Sequence, residues 1–107
     1  MIADILEQVR GAGKKSVLFK QHAIEQMTSP DRMISQQDVM LVIENGEVIE
    51  DYPNDPRGHS CLLLGTGEGG RMIHVVCAPK QDHLTIITSY VPESDLWHEG
   101  FRKRRLL

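Results

Sequence analysis

The spacing of apolar residues changes character once along the chain, and the change falls at Gly46. Before it, Ile2, Ile5, Leu6 and Val9 recur at helical spacing, and Gly11 and Gly13 are expected to stop that helix. "SVLFK", Ser16 to Lys20, is short, apolar and β-branched enough for a strand. Ala23, Ile24 and Met27 then predict a short helix, broken at "TSP" because Pro30 disfavours helical backbone at Ser29. Ser35 and Asp38 have the spacing of a capping box, and Val39, Val42 and Ile43 give the helix behind it an apolar stripe. Asn45-Gly46 closes that helix, with glycine expected in the left-handed conformation.

After Gly46 the period is two. "EVIEDY" alternates as an exposed or edge strand does and ends at Pro53. "HSCLLLGTG" and "RMIHVVCAP" flank the glycine-rich "GEGG", which reads as a hairpin. "QD" marks the next turn, and "HLTIITSYV" makes the last strand before Pro92. "ESDLWHEGF" predicts a short closing helix around Asp95 to Gly100. Helices first and then an antiparallel meander from Glu47 to Val91 define an α+β domain. With no repeat and no linker, residues 1–107 are expected to form a single domain.

Composition changes this picture little. The chain is 40% hydrophobic and 25% charged, ordinary for a globular protein. No apolar run approaches the roughly 20 residues that span a bilayer, and Met1 to Arg10 carries acids unlike a signal peptide. A cytoplasmic location with no membrane contact is the expectation, and the two cysteines, Cys61 and Cys77, suit it. The net charge of −3 argues against a general polyanion binder. Charge is uneven, however: acids dominate from Asp38 to Asp55, while Arg102, Lys103, Arg104 and Arg105 are consecutive.

Several phrases, taken in order, carry a resemblance: "FKQHA", "GEVIEDYP", "LLLG", "GRMIHVVCAP", "IITSYVP", then Trp97 followed by Phe101 and an arginine. From about Phe19 to Arg104 the chain resembles a bacterial domain-of-unknown-function family, number 4258. That family has been grouped with the barnase–EndoU–colicin–RelE-like fold, whose better-known members are metal-independent RNases and toxins. The resemblance implies helices packed on one face of a four-stranded antiparallel sheet, and a toxin-like endoribonuclease without a cofactor. Relatives usually read H-A-x-x-R-M; here Gln26 precedes Met27, so the arginine one turn below the histidine is missing, and Arg32 is the residue placed to supply that charge.

Metal-free RNA cleavage needs a base for the 2′-hydroxyl, a cation for the phosphorane and an acid for the leaving oxygen. His22 suits the base role, because the positive end of a helix dipole disfavours imidazolium; the alternative is that it only caps the helix. On the strand of "RMIHVVCAP", Arg71, Ile73, Val75 and Cys77 share one face and Met72, His74, Val76 and Ala78 the other. His74 interrupts an apolar run, so it is either a second catalytic group or a hydrogen-bonded core histidine. Thr88 and Tyr90 could donate to a phosphate, and alternation puts them with Leu84 and Ile86. Arg32, Arg71, Arg102 and Arg104 are the candidate phosphate contacts, although Arg71 and His74 should face opposite ways.

His59, Cys61, His74, Cys77, His83 and His98 lack the spacing of a zinc site, and no metal is expected. "GTGEGGR" lacks the lysine of a phosphate loop and is a turn. Two readings stand: a metal-independent RNase with His22, His74, Thr88 and Tyr90 around the phosphate, or a non-catalytic protein-binding module on the same fold. The partners to consider are RNA, a neutralising antitoxin-like protein, or a second copy of the chain. The last two follow because the sheet's strands are apolar on both faces and one face needs a cover. Leu96, Trp97 and Phe101 could also supply that cover.

Overall fold

The computed structural model describes residues 4–106. Ile2, the first apolar position of the opening helix, lies outside them. Three helices come first: α1 (Ile5–Lys15), α2 (Gln21–Thr28) and α3 (Gln36–Asn45), with the short strand β1 (Val17–Phe19) between the first two. The strands β2 (Glu47–Tyr52), β3 (Ser60–Thr66), β4 (Met72–Pro79) and β5 (Leu84–Tyr90) follow. The sheet has five strands, not four, in the order β1-β5-β4-β3-β2. It is mixed: β1 runs parallel to β5, with Val17 opposite Leu84 and Phe19 opposite Ile86. The other pairs are antiparallel.

Glycine does not stop α1. The helix runs through Gly11 and Gly13 to Lys15, where the Ser16 backbone N–H bonds back to Ala12. Each glycine costs about 1 kcal/mol relative to alanine, but Val9 and Ala12 are buried on the sheet, and tertiary packing of an apolar face outweighs that propensity. Gly13 also sits close to Leu84 and Ile43. At α3 the capping box forms: the Asp38 N–H donates to Ser35 Oγ at 2.9 Å and the Ser35 N–H to Asp38 Oδ2 at 2.9 Å. Gly46 ends α3 in an extended rather than left-handed conformation (φ −81°). Its glycine requirement is spatial, because a Cβ there would run into the carbonyl oxygens of Val42 and Leu64. The Arg10 side chain donates to the Ile43 and Gly46 carbonyls at 3.0 and 3.1 Å, a cation at a helix C-terminus.

All three helices pack on one sheet face. Val9, Ala12, Ala23, Met27, Val39, Val42 and Ile43 meet Cys61, Leu63, Ile73, Val75, Cys77, Leu84 and Ile86 in one core. Two bulges set what the opposite, outer face carries. In β5 the register slips between Val76 and Cys77, which pair with Thr88 and Ile86 and leave Ile87 as the extra residue. Thr88 and Tyr90 therefore lie opposite Val76 and His74, on the outer face and not with Leu84 and Ile86. In β2 the slip leaves Ile49 extra, so Glu47 and Glu50 lie opposite Leu64 and Leu62 and share that outer face despite being three apart.

The expected closing helix is absent. Residues 92–106 instead form a tight strap, with an antiparallel bridge between Trp97 and Arg104. The His98 N–H donates to the Lys103 carbonyl at 2.9 Å and the Arg105 N–H to the Leu96 carbonyl at 2.9 Å. Gly100 (φ 89°) and Phe101 (φ 60°) take the left-handed conformation between them, which no helix continues through. Trp97 is 3% exposed. Its ring lies edge-on to His74, centroids 4.4 Å apart. The cover for this part of the outer face is the chain's own tail.

Candidate active site

The strap covers only the end of the outer face where β4 begins and β5 ends. At the other end, a cleft of about 880 Å³ opens beside the turn joining β4 to β5. Ala78 and Ile87 contribute apolar surface to its lining, and Lys20, His22, Arg57, Lys80 and His83 bring charge and proton-transfer groups. The parallel β1–β5 pairing builds this site. The Lys20 N–H donates to the Ile86 carbonyl at 3.0 Å and the Leu84 N–H to the Ser16 carbonyl at 2.8 Å. Those bonds bring the entry of α2 against the start of β5. Ala23 and Met27 bury the underside of α2; His22, off that buried stripe, is exposed.

The rest of the lining is held by polar contacts. His83 is fixed at both ring nitrogens: Nδ1 lies 2.7 Å from Asp82 Oδ1 and Nε2 lies 3.0 Å from Thr85 Oγ1. That ring pulls the Asp82 carboxyl below its ordinary pKa. The Lys80 ammonium donates to the Arg57 carbonyl, and Gly58 (φ 107°) leaves room for it. The Arg57 guanidinium forks onto Asp55, with Nε to Oδ1 at 3.0 Å and Nη2 to Oδ2 at 2.9 Å. These bonds, with the Arg57 N–H and the Ser60 hydroxyl, hold the Asp55 carboxyl well below the usual carboxylate range. Arg57 is thus partly neutralised from behind, whereas Lys20 and Lys80 in the cleft lining have no carboxylate partner among the described residues.

Of the residues proposed from the sequence as catalytic groups or phosphate contacts, His22 alone is among the described residues that line this cleft. His74 is fully buried at the strap end: Nε2–H donates to the Phe101 carbonyl at 2.9 Å, and Nδ1 lies 3.3 Å from the Tyr90 hydroxyl. Burial depresses its pKa against the pull of the Phe101 carbonyl and the Glu50 carboxylate, so the ring is a neutral structural group. Tyr90, with its own pKa raised by burial, is the other half of that contact. Thr88 lies between, half-buried opposite Val76.

The arginines disperse. Arg32 donates to the Gln26 side chain, so a guanidinium does reach the position one turn below His22. Arg71 donates to the carbonyls of Arg32 and Met33 and reaches Asp38 at 3.4 Å, on the helix side, away from His74. Asp38 also accepts the Glu68 N–H at 2.7 Å. Burial works to raise its pKa, but the bonds from Ser35 and Glu68 and the charge of Arg71 outweigh it and lower the value. Arg102 pairs with Glu47, and Arg104 forks onto Glu50 at 2.8 and 3.0 Å while covering the Trp97 ring at 4.7 Å. Burial drives the Tyr52 hydroxyl to about 12, aided by the neighbouring Glu50 carboxylate. Arg105 donates to the Ser94 and Trp97 carbonyls at 2.8 Å each. Arg102 and Arg104 are therefore latches on β2, and Arg105 is one on the strap itself.

Sequence reasoning passed over Lys20, Arg57, Lys80 and Thr85, and considered His83 only as a zinc donor. Among the described residues no three of the zinc candidates come together: Cys61 and Cys77 face each other within the core, while His59 contacts Asp51 at 2.5 Å and His74 is on the outer face. The one signal that could have pointed to the cleft is the polar turn Lys80-Gln81-Asp82-His83 set directly before an apolar strand.

Fold and cleft together define an α+β domain with three helices on one face of a mixed sheet and a histidine-bearing cleft on the other. The chain belongs to the family described as Domain of unknown function (DUF4258), which matches residues 19–91. That span holds β1 through β5 from Phe19 onward and every cleft residue named above, whereas α1 and the strap lie outside it. No curated protein and no solved structure matches the chain. No helix among the described residues is long and apolar enough to cross a membrane.

Proposed function

We propose that the domain is a metal-independent endoribonuclease of the RelE-like toxin type, working at the cleft beside His22. One observation carries the reading: an exposed histidine shares a single cleft with two lysines, Lys20 and Lys80, that have no carboxylate partner among the described residues. His22 takes the proton from the 2′-hydroxyl, and the lysines stabilise the charge that builds on the phosphorane. The grouping of this family with the barnase–EndoU–colicin–RelE-like fold, whose better-known members cleave RNA without a metal, favours the same reaction class. His74, Thr88 and Tyr90, grouped with His22 on sequence grounds, take no part in this version of the site.

The test is incubation of the purified protein with single-stranded RNA in excess EDTA. Cleavage leaving 2′,3′-cyclic phosphate ends, together with growth arrest on expression that His22→Ala relieves, is the expected result. Intact RNA and unaffected growth would refute it. They would leave the second reading, a non-catalytic protein-binding module, which has an observation of its own. Leu18 and Ile24, on the elements that enter the cleft, are 46% and 47% exposed, an apolar surface suited to a protein partner.

A further inference from the structure

His22 accounts for one proton in the cleavage reaction, and the reaction moves two. As the 2′-oxygen attacks, a new O–P bond forms and the 2′-hydroxyl proton leaves. As the P–O5′ bond breaks, the departing 5′-oxygen must gain a proton, because an alkoxide is a poor leaving group. The donor has to stand in the same cleft, on a ring or chain held in place, and must be a different group from the base. Among the cleft's side chains, His83 is the one whose two ring nitrogens are both engaged, each by a different partner.

From that geometry, and resting on the nuclease reading above, we infer that His83 is the general acid of the site and that Asp82 is its positioning residue. Asp82 accepts the Nδ1–H of His83 across 2.7 Å. A carboxylate on one nitrogen settles which proton the other can deliver. In the doubly protonated ring that an acid must be, the Nε2 proton is thus the mobile one, and Thr85 Oγ1 lies 3.0 Å away, where it can accept it until substrate binds. Thr85 is itself buried (4% exposed) at the start of β5, opposite Ala78 in the cleft lining, so the ring is braced from a rigid strand. The balance is complete. His22 gains the 2′-hydroxyl proton, His83 gives its Nε2 proton to the 5′-oxygen, and the products are a 2′,3′-cyclic phosphate and a free 5′-hydroxyl. Subsequent proton exchange with water returns both rings to their starting forms.

The assignment separates His83 from His22 through the leaving group. An RNA 5′-oxygen needs a proton to depart; the nitrophenolate of uridine 3′-(4-nitrophenyl phosphate) does not. His83→Ala should therefore lose about 10²–10⁴-fold on a single-stranded RNA oligonucleotide and change little on the nitrophenyl ester. His22→Ala should lose on both. Asp82→Asn, at an exposed carboxylate, should lose roughly tenfold on RNA only, the low end for a group acting through its neighbour. Should His83→Ala fail to fold, Asp82→Asn carries the same two-substrate comparison. Equal losses on the two substrates for the His83 or Asp82 variants would overturn this inference and leave the role of His22 standing. A wild-type protein inactive on both substrates would overturn the nuclease reading, and this inference with it.

Discussion

The outer face of the sheet ends differently at its two ends, although the same strands run through both. Where β4 begins and β5 ends, His74 is shut between Tyr90, Trp97 and the Phe101 carbonyl, with the Arg104–Glu50 pair above. Where β4 ends and β5 begins, His22 and His83 stand in an open cleft beside Lys20 and Lys80. Chain direction makes the difference. β5 finishes beside His74, so residues 92–106 fold back over that end. A histidine under a strap becomes a hydrogen-bonded structural group; a histidine beside a turn keeps access to solvent and to a ligand. The comparison teaches that on one sheet face, residues of the same type become buried, hydrogen-bonded groups or accessible ones according to where the residues after the last strand fold back.

The sharpest way to break this comparison is to delete a histidine at each end. His22→Ala should slow RNA cleavage by ~10²–10⁴, about 3–5 kcal/mol of barrier, with a stability change within about 0.5 kcal/mol, as for an exposed site. His74→Ala should do the reverse, lowering the urea midpoint while leaving the rate per folded molecule intact. A cleavage defect in folded His74→Ala would return it to the active site. Trp97→Ala at the strap end should cost about 3–5 kcal/mol of folding free energy, as for other buried aromatics. A smaller loss, near that of a surface change, would mean that the strap is not a fixed part of the fold.

Acidification should also act on the strap end. His74 has a folded pKa below its ordinary 6.5, so the unfolded chain binds the proton more readily. Its contribution to stability is fully present above pH 6.5 and is lost as the pH falls from there through the folded value. Glu50, likewise lowered below its ordinary 4.5 by the Arg104 and Tyr52 bonds that outweigh its burial, extends the loss at more acid pH. Urea midpoints from pH 8 to pH 4 should fall through this window, and His74→Gln should flatten its upper part. A wild-type midpoint constant from pH 8 to pH 5 would contradict the buried, neutral His74.

The smallest expected effect separates the cations. Lys20→Gln and Lys80→Gln should each flatten the slope of log RNA affinity against log salt by about 0.7, the value for one phosphate on a single strand. Arg102→Gln and Arg104→Gln should leave that slope unchanged, because Glu47 and Glu50 already neutralise those side chains. A slope that depends on the tail arginines and not on the lysines would move the RNA contact to the strap.

Much of the secondary structure was legible because its causes are local. The Ser35–Asp38 capping box closes within four residues, and the apolar alternation of β3 and β4 needs no knowledge of their partners. The helix at Gln21–Thr28 follows from Ala23 and Met27, and its end from Pro30. Features with distant causes were not legible. Burial of Val9 and Ala12 carries α1 past two glycines that propensity alone treats as a stop. Trp97 on the outer face, with left-handed backbone at Gly100 and Phe101, turns an expected helix into a strap.

The bulges show the limit most clearly. Strand alternation is a period of two, so one inserted residue reverses every assignment beyond it. Ile87 moved Thr88 and Tyr90 to the outer face, and Ile49 brought Glu47 and Glu50 together under Arg102 and Arg104. By itself the sequence determined the α+β order, the capping of α3, the strand segments and His22 at a helix entry, all through interactions a few residues long. Only the tertiary structure decided that Val17–Phe19 would join the sheet parallel to β5, and with it that His22 would share a cleft with His83. That pairing joins residues more than sixty positions apart, and its cause is the open edge of β5 meeting a short apolar strand, which no local spacing records.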